Sequence, residues 1–234
     1  MNWSVVFKNE GISLFYYSYP KGTYELLPKN SCRVCAFPET EDDTCPWECH
    51  HPEFLTRIYA IGPYHKTAVL HETGESDLLS RDIYFLKNNA MKAEPLGLSI
   101  AACMQNRYRE LLNYDCLVAV PQHKDELHED EHTGKLFNPV DPLVSWVHKI
   151  VGIEIIEPLT KTRKQSMEGL DMSQRHEATI GLYKCVSSKI DGKRVVLVDD
   201  VATTGSNLDS CANELIEHGA KEVSAIVCGK DYSS

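Results

Sequence analysis

The sequence has no long apolar run: no segment approaches the ~20 consecutive apolar residues that a membrane-spanning helix requires. Residues 1–10 also lack the basic start and apolar core of a secretory signal peptide. Positive charge is scarce, since 24 lysine and arginine residues face 34 acidic ones and the formal net charge is −10. These absences predict a cytoplasmic protein without membrane contact. They also argue against a large surface that binds nucleic acid independently of sequence, although a small basic strip remains compatible with them.

Two further patterns are missing. The chain contains no Gly-Lys-Ser/Thr motif, which argues against a triphosphate-binding P-loop, and it has no internal repeat or low-complexity segment. Hydrophobic residues make up 42% of the 234 positions, an ordinary share for a globular protein. That length accommodates one large domain, or a main domain with a small module attached.

Cysteine, in contrast, is plentiful, with nine residues. Four of them form two closely spaced pairs, Cys32-x2-Cys35 and Cys45-x3-Cys49. Because thiols stay reduced in the cytoplasm, this cluster indicates a metal site more strongly than a disulfide framework. Zinc prefers tetrahedral sulfur sites, so we predict one structural zinc ion held by Cys32, Cys35, Cys45 and Cys49.

Two alternatives to this ligand set stay open. The second cysteine pair is one residue longer than usual, and either His50 or His51 could replace a cysteine ligand. The four cysteines could also be small buried or surface thiols that bind no metal. The other five fall on apolar helix faces or strands and are predicted to be core residues: Cys103, Cys116, Cys185, Cys211 and Cys228.

The hydrophobic pattern divides the chain into two kinds of structure. Residues 1–30 alternate apolar and polar side chains, with turn signals at 9–11 and at Pro20-Lys21-Gly22, which indicates short antiparallel strands. Farther on, strands are predicted at 57–64, 116–120, 194–198 and 223–228. Helices are predicted to begin near 77, 95 and 207, and another to end at Gly152. The strand–helix–strand order of 194–228 predicts a parallel pair with a right-handed crossover.

The strongest functional signal is the segment 195–206. A buried strand runs into Asp199 and Asp200, a turn of hydroxyl residues and glycine follows, and a helix then begins. Ligands of such sheets bind beyond the carboxyl ends of the strands, and the free N–H groups of a helix start suit an anion. Two adjacent carboxylates suit vicinal hydroxyls, directly or through a divalent cation. The segment predicts a sugar-phosphate site; the alternative is an ordinary strand-to-helix loop with an N-cap.

The same twelve residues, Val-Val-Leu-Val-Asp-Asp-Val-Ala-Thr-Thr-Gly-Ser, closely resemble the phosphoribosyl pyrophosphate (PRPP) motif of type I phosphoribosyltransferases. More of the chain, roughly residues 32–230, is similar to one branch, the ComF-like family, named for a bacterial competence protein. The shared features are the cysteine cluster, the Ile-x-x-Leu-Lys pattern of 83–87, the Val120-Pro121 strand end, and a basic, Gln-containing segment from Lys161 to Arg175.

This resemblance implies an α/β chain with the type I phosphoribosyltransferase fold, a parallel sheet flanked by helices, behind a small zinc-binding β module. The expected division is 1–56 for the module and 57–234 for the phosphoribosyltransferase-type domain. As catalytic residues, Asp199 and Asp200 would contact the ribose hydroxyls. Val120 and Pro121 would face the pyrophosphate. The 5-phosphate would lie among Val201, Ala202, Thr203, Thr204, Gly205 and Ser206.

In the family's reaction, Mg²⁺ accompanies PRPP, and pyrophosphate leaves when a nucleophile attacks the anomeric carbon. One segment departs from the family pattern. The loop 123–132, His-Lys-Asp-Glu-Leu-His-Glu-Asp-Glu-His, replaces basic residues, and the run after it lacks the usual arginine. An acidic loop beside a pyrophosphate site repels the ligand unless it binds a cation or swings away; the other interpretation is a solvated surface loop.

Arg163 and Arg175 lie in the basic segment, for which three interpretations remain. It could close over a polyphosphate as a mobile flap, touch single-stranded nucleic acid, or form a solvated loop. Two functions are therefore predicted. One is an enzyme that transfers phosphoribose from PRPP to an acceptor that the sequence does not identify. The other is a non-catalytic accessory protein of DNA uptake that keeps the pocket for PRPP or a nucleoside monophosphate, with single-stranded DNA or a DNA-uptake helicase as its partner.

Overall fold

The computed structural model describes residues 3–8, 11–16, 19–39, 44–46, 51–65, 77–165, 169 and 172–232. Its first part is an antiparallel sheet of three strands, β1 (Trp3–Lys8), β2 (Gly11–Tyr16) and β3 (Tyr19–Tyr24), in the order β1-β2-β3. The predicted short antiparallel strands are confirmed. The turn predicted at Pro20-Lys21-Gly22 is wrong, because these residues lie inside β3. That strand is at the edge of its sheet, where a residue without an N–H donor is tolerated.

The remainder of the chain alternates strands and helices. In chain order these are β4 (Ile58–Tyr64), α1 (Leu78–Leu86), α2 (Ala93–Asn106), β5 (Cys116–Ala119), β6 (His128–Glu129), β7 (Leu136–Phe137), α3 (Val140–Val151), β8 (Glu154–Ile155), β9 (Leu159–Lys161), α4 (Met172–Thr179), β10 (Tyr183–Cys185), β11 (Arg194–Ala202), α5 (Ser206–Glu217) and β12 (Glu222–Asp231). β6 pairs with β7, and β9 pairs with β10, each time antiparallel.

A five-stranded sheet in the order β4-β12-β11-β5-β8 forms the centre of the molecule, and every neighbouring pair in it is parallel. Parallel strands need long crossover connections, which explains why helices separate them along the chain. The predicted α/β fold, a parallel sheet flanked by helices, is confirmed. Because all five strands run the same way, their carboxyl ends meet at one edge of the sheet.

Apolar side chains pack against both faces of this sheet. In β11, Val196 and Val198 face a core shared with α1, α2 and α3, whereas Val195 and Leu197 face a second core shared with α5. A strand covered on both faces carries a continuous apolar run, and residues 195–198 are all fully buried. This burial sets the register of β11 and therefore the position of the acids that follow it.

Local signals explain where the helices begin, end and meet. The Asp77 carboxylate accepts the N–H groups of Leu79 and Ser80 at 3.1 and 3.0 Å, which caps α1 as its sequence predicts. The helix α3 ends at Gly152, whose φ is 75°. α2 and α3 approach closely at Gly97, since a Cβ there would lie 2.5 Å from Trp146 Cβ.

The cysteine-containing segment runs along the free edge of β4. The Leu27 N–H donates to the Ile61 carbonyl at 3.0 Å, and the Ile58 N–H donates to the Val34 carbonyl at 2.8 Å. These bonds pair backbone groups that an edge strand would otherwise expose. The N-terminal residues therefore contact the α/β part directly, and the division at 56/57 stays a prediction. No helix within the described ranges has the length and apolar character to cross a membrane.

Candidate phosphate-binding site and metal centre

Asp199 and Asp200 lie near the carboxyl end of β11, which continues past them because Ala202 still pairs with Lys230 of β12. The Asp199 carboxylate accepts the N–H of Asp200 at 2.9 Å, and the Asp200 carboxylate accepts the N–H of Val201 at 2.7 Å. Burial raises the pKa of Asp199 well above its ordinary value, and the neighbouring Asp200 charge raises it further. A cation or a set of hydroxyl donors would relieve this repulsion.

A short turn connects the acid pair to α5. Gly205 is the last residue before the helix, and its φ of 85° lies in the left-handed region that favours glycine. The Thr204 and Ser206 hydroxyls lie 2.8 Å apart, and the Ser206 N–H donates to Thr204 Oγ1 at 3.3 Å. Asp199 and residues 201–208 line a cleft here. The cleft combines hydroxyl groups, the first N–H groups of a helix and a carboxylate, and so it brings together the predicted turn residues.

Packing restricts the turn from below. A Cβ built on Gly205 would lie 2.8 Å from Ile58 Cδ1, closer than real Cβ contacts come. Ile58 is 1% exposed, so its side chain would have to repack within the core to make room. The backbone angle is therefore the main requirement for glycine, and the contact with Ile58 adds to it.

Val120 and Pro121 lie at the same edge of the sheet. The Val120 N–H donates to the Val198 carbonyl at 3.0 Å, next to the acid pair. The buried Asn138 amide donates to the Val120 carbonyl at 3.1 Å, which holds this strand end in place. The parallel pairing of β5 with β11 thus juxtaposes two predicted segments that lie some 80 residues apart in the chain.

Sequence reasoning missed Lys230, at the end of β12. This residue is 4% exposed, and its ammonium donates to the carbonyl of Thr203 and to that of Asp231. Burial lowers the pKa of Lys230 to about 8, while the neighbouring Cys35, Asp231 and Cys45 oppose that shift. A lysine closing the apolar run 223–228 was the available signal.

Three side chains from other parts of the chain lie near enough to the acid pair to interact with it electrostatically. Burial and the charge of Lys87 lower the pKa of His128, whereas Asp200 raises it. Burial raises the pKa of Tyr64; the charge of Lys87 lowers it, and that of Asp200 raises it. Lys87 follows α1, His128 belongs to β6 and Tyr64 ends β4, so only the fold brings them together. Lys87 is the last residue of the Ile-x-x-Leu-Lys pattern, but the pattern did not predict that it lies near the acid pair.

Hydrogen bonds from neighbouring segments to two of its acids hold the acidic loop 123–132 in place. Glu126 accepts from Lys161 Nζ at 2.7 Å and from the Gln165 N–H at 3.1 Å. Burial alone would raise the pKa of Glu126, but these bonds and one from the His123 N–H hold it below its ordinary value. The buried Asp130 accepts three backbone N–H groups between 2.9 and 3.2 Å. The acids of this loop that face solvent are Asp125, Glu129 and Glu131.

The structure does not bring the guanidinium of Arg163 to the phosphate turn. It donates instead to the carbonyls of Ala178, Ile180 and Gly181 at 3.1, 3.2 and 3.3 Å, and so braces the loop after α4. The side chain of Arg175 lies outside the described residues. The interpretation of this segment as a flap therefore stays a prediction.

A cluster of Cys32, Cys35, Cys45 and His51 forms the candidate metal centre. Their ligand atoms all lie within 4.8 Å of one another. His51 Nε2 is 3.3 Å from both Cys32 Sγ and Cys45 Sγ, and the Sγ atoms of Cys35 and Cys45 are 3.6 Å apart. Three thiols and one imidazole match a tetrahedral structural site. His51, one of the two substitutes that the sequence offers, thus joins three of the predicted ligands, while Cys49 and His50 lie outside the described residues.

Local backbone structure shapes the first half of the cluster. The Val34 N–H donates to Cys32 Sγ at 3.4 Å, and the Ala36 N–H donates to the Cys32 carbonyl at 3.0 Å. Ala36 has a positive φ of 60°, which reverses the chain directly after Cys35. This tight turn points both thiols the same way, as a Cys-x2-Cys pair needs for a shared ion.

One carboxylate joins this module to the phosphate helix. Asp209, in the first turn of α5, accepts the backbone N–H groups of Glu53, Phe54 and Leu55 at 3.0, 2.8 and 3.1 Å. Asp209 is 7% exposed, so the contact is shielded from water. The chain that leaves the metal cluster is therefore attached to the helix whose start forms the phosphate turn.

Comparison with known proteins agrees with this geometry. Residues 117–231 match the family model of the phosphoribosyl transferase domain. Competence protein ComFC of Streptococcus pneumoniae (strain ATCC BAA-255 / R6) is 23% identical over 201 residues, which cover 86% of this chain and 81% of that protein.

Two solved structures are similar at low identity. Glutamine PRPP amidotransferase from B. subtilis, complexed with ADP and GMP, is 20% identical with a TM-score of 0.38 over 58% of this chain, which spans only 25% of that one. Purine phosphoribosyltransferase from Pyrococcus horikoshii Ot3 is 18% identical with a TM-score of 0.32 over 57% of this chain and 68% of that one. The family match and the ComFC relative confirm the predicted recognition: residues 117–231 match the phosphoribosyl transferase domain, in a chain that is similar to a ComFC protein over most of its length.

Proposed function

We propose that the chain binds PRPP or a nucleoside 5′-monophosphate, with the 5-phosphate in the turn 202–206 and the ribose hydroxyls on Asp199 and Asp200. The observation that carries the proposal is the cleft in which the turn after β11 reaches a left-handed Gly205 and α5 begins close to the two acids. A helix start offers unpaired N–H groups and partial positive charge, which suit a phosphate. Hydroxyl groups and the backbone do the binding, so no side-chain cation is needed inside the turn.

Catalysis, where it occurs, would depend on charge placement by these residues. The turn would hold the 5-phosphate, and the acid pair would orient the ribose and face the positive charge that develops on the sugar as pyrophosphate leaves. Pyrophosphate would depart towards Val120 and Pro121. Mg²⁺ would supply neutralisation of the pyrophosphate charge, held by the substrate and by the Asp199 and Asp200 carboxylates, whose oxygens are ligands that this ion prefers.

A second function competes with transferase activity. The ComFC relative matches 86% of this chain, which favours a role in DNA uptake in which the pocket binds its ligand without turnover. Single-stranded DNA or a DNA-uptake helicase would then be the partner, and the protein would act in the cytoplasm. Calorimetric titration with PRPP and Mg²⁺, followed by a pyrophosphate-release screen across nucleobases, separates these two functions. Binding with release supports the enzyme, and binding without release under any base supports the accessory protein.

We propose zinc as the occupant of the Cys32, Cys35, Cys45 and His51 cluster. Sulfur and imidazole donors suit zinc, and four protein ligands fill its tetrahedral coordination without leaving an open position. The ion would therefore stabilise the module and take no part in chemistry at the phosphate turn.

Asp199→Asn and Asp200→Asn test the role of the acid pair. If the protein is a transferase, turnover is expected to fall about 100-fold, because the lost charge faces the transition state, while PRPP affinity falls less than about tenfold. Single-turnover rates and calorimetry measure the two effects. Glu217→Gln, an exposed position at the end of α5, removes the same charge and is expected to change neither. Equal losses in turnover and affinity would assign the acids to ground-state binding alone.

The solvent-facing acids of the loop 123–132 offer a separate test. Neutralising Asp125, Glu129 and Glu131 together is expected to raise PRPP affinity about two- to tenfold at low salt, because each negative charge repels the pyrophosphate. The gain should disappear near 1 M salt, where the screening length is ~3 Å. Glu126 and Asp130 stay unchanged, since their hydrogen bonds hold the loop. An unchanged affinity at low salt would mean that these acids lie too far from the ligand to matter.

A further inference from the structure

Lys230 lies between the phosphate turn and the metal module. It is 4% exposed, and its ammonium donates to the carbonyl of Thr203, which follows the last residue of β11 in the turn. A buried ammonium needs hydrogen-bond acceptors to offset its lost hydration, and here two backbone carbonyls, those of Thr203 and Asp231, supply them. The lysine therefore fixes the direction of the peptide that opens the turn.

The other side of Lys230 faces the metal module. Its Nζ lies 5.7 Å from the centre of the Phe37 ring, within the range of a cation–π contact. Phe37 is itself held by the cysteine segment, because its carbonyl accepts the Cys32 N–H at 2.7 Å. The ring also meets Tyr232 edge to face, with ring centres 5.2 Å apart. The metal-ligand segment thus determines where the aromatic face above Lys230 sits.

We propose that Lys230 is a positioning residue that couples the metal module to the phosphate turn, so that an ordered metal centre increases the affinity of the turn for a sugar phosphate. The proposal rests on the proposed function of the turn. Its basis is the single buried side chain that contacts both Thr203 and the ring that the cysteine segment holds. When the ammonium holds the Thr203 carbonyl, the peptide that leads into the turn has a fixed orientation, and a cationic group lies close to the cleft.

The proposed coupling requires that Lys230, Thr203 and the cysteine segment meet at one end of the sheet. Lys230 ends β12, and Thr203 follows the end of β11, its parallel neighbour, so the two strands keep the donor and acceptor in register. The cysteine segment reaches the same point from the free edge of β4. Disordering that segment would remove the aromatic face above the ammonium and admit water, which weakens the bond to Thr203.

The experiment measures ribose 5-phosphate affinity by calorimetry for four samples: wild type and Lys230→Met, each with zinc bound and after treatment with a chelator. Lys230→Met removes the ammonium at nearly constant volume, and zinc-loaded Lys230→Met is expected to bind about tenfold more weakly than wild type. Zinc removal is expected to weaken binding to wild type but to change binding to Lys230→Met by less than about twofold, because the two changes act through one contact. Lys221→Met, an exposed lysine just before β12, serves as the matched control and is expected to bind like wild type.

The outcomes separate the positioning role of Lys230, its coupling to the metal module and the proposed function of the turn. Equal affinities of zinc-loaded wild type and Lys230→Met would overturn the positioning role, and additive losses from zinc removal and the substitution would overturn the coupling. If wild type itself fails to bind ribose 5-phosphate, the proposed function of the turn fails instead. Should Lys230→Met not fold, Phe37→Leu keeps the lysine and removes only the aromatic face. Its zinc-loaded form is expected to bind about two- to threefold more weakly, and wild-type affinity would overturn the link.

Discussion

Gly205→Val, alone or with Thr204→Ala, is expected to lower PRPP affinity at least about 100-fold. A side chain at a φ of 85° is strained by about 1–3 kcal/mol, and its Cβ would lie 2.8 Å from Ile58 Cδ1. The turn must therefore shift, and the N–H groups of α5 can no longer converge on one phosphate. Titration calorimetry with PRPP and Mg²⁺ measures the loss, and circular dichroism confirms that the variant stays folded.

A substitution at a second glycine, Gly152, distinguishes the effect of backbone strain from the effect on the phosphate site. Gly152 also has a positive φ, 75°, but a Cβ there would meet nothing within 4 Å, and it ends α3 outside the turn. Gly152→Val is expected to lower the free energy of unfolding by a comparable strain term while PRPP affinity stays unchanged. Wild-type affinity in Gly205→Val would contradict the assignment of the phosphate site.

Loss of the metal centre is expected to be the largest stability effect. Protein purified without added metal should contain one zinc per chain by elemental analysis, and Cys32→Ser should lower both the zinc content and the free energy of unfolding, the latter by at least about 3 kcal/mol, because metal binding in such modules is coupled to folding. Cys211→Ser is the matched control. That thiol is fully buried but belongs to α5 and faces the core between this helix and the sheet, so the same substitution should cost only about 1–3 kcal/mol and leave zinc bound.

The fourth ligand can be tested in the same assay. The 3.3 Å distances from His51 Nε2 to two thiols predict that His51→Ala reduces zinc content and that Cys49→Ser does not. The opposite result would restore the all-cysteine ligand set. A fully folded protein that contains no metal would contradict the zinc assignment altogether.

Sequence patterns predicted the turn and its flanking elements because these depend on neighbours along the chain. The apolar run 195–198, the two acids and Gly205 follow one another directly, and the parallel crossover to β12 needs only short links. The end of β11 was less predictable, because Ala202 stays in the strand only through its pairing with Lys230. The spacing of the cysteines likewise identified a metal cluster but left the choice between Cys49 and a histidine open.

Residues that act through distant contacts could not be predicted in this way. Lys230 is separated from Thr203 by a whole helix, and its place after the apolar run 223–228 hints at burial but does not indicate its partner. The roles of individual residues in the acidic loop 123–132 were also not predictable from its composition. Its composition predicted a uniformly repulsive or solvated segment, whereas Glu126 and Asp130 are structural acceptors and His128 lies near Asp200.

The backbone bonds between residues 27–34 and β4 have a consequence for how the protein can be divided. A fragment that begins at residue 57 would retain every element of the parallel sheet but would leave one side of β4 without its partners, the Leu27 N–H and the Val34 carbonyl. Unpaired strand edges recruit other strands, so such a fragment is prone to self-association. Residues 27–34 therefore cover the edge of the sheet, and any shortened form should keep residues from Tyr24 onward.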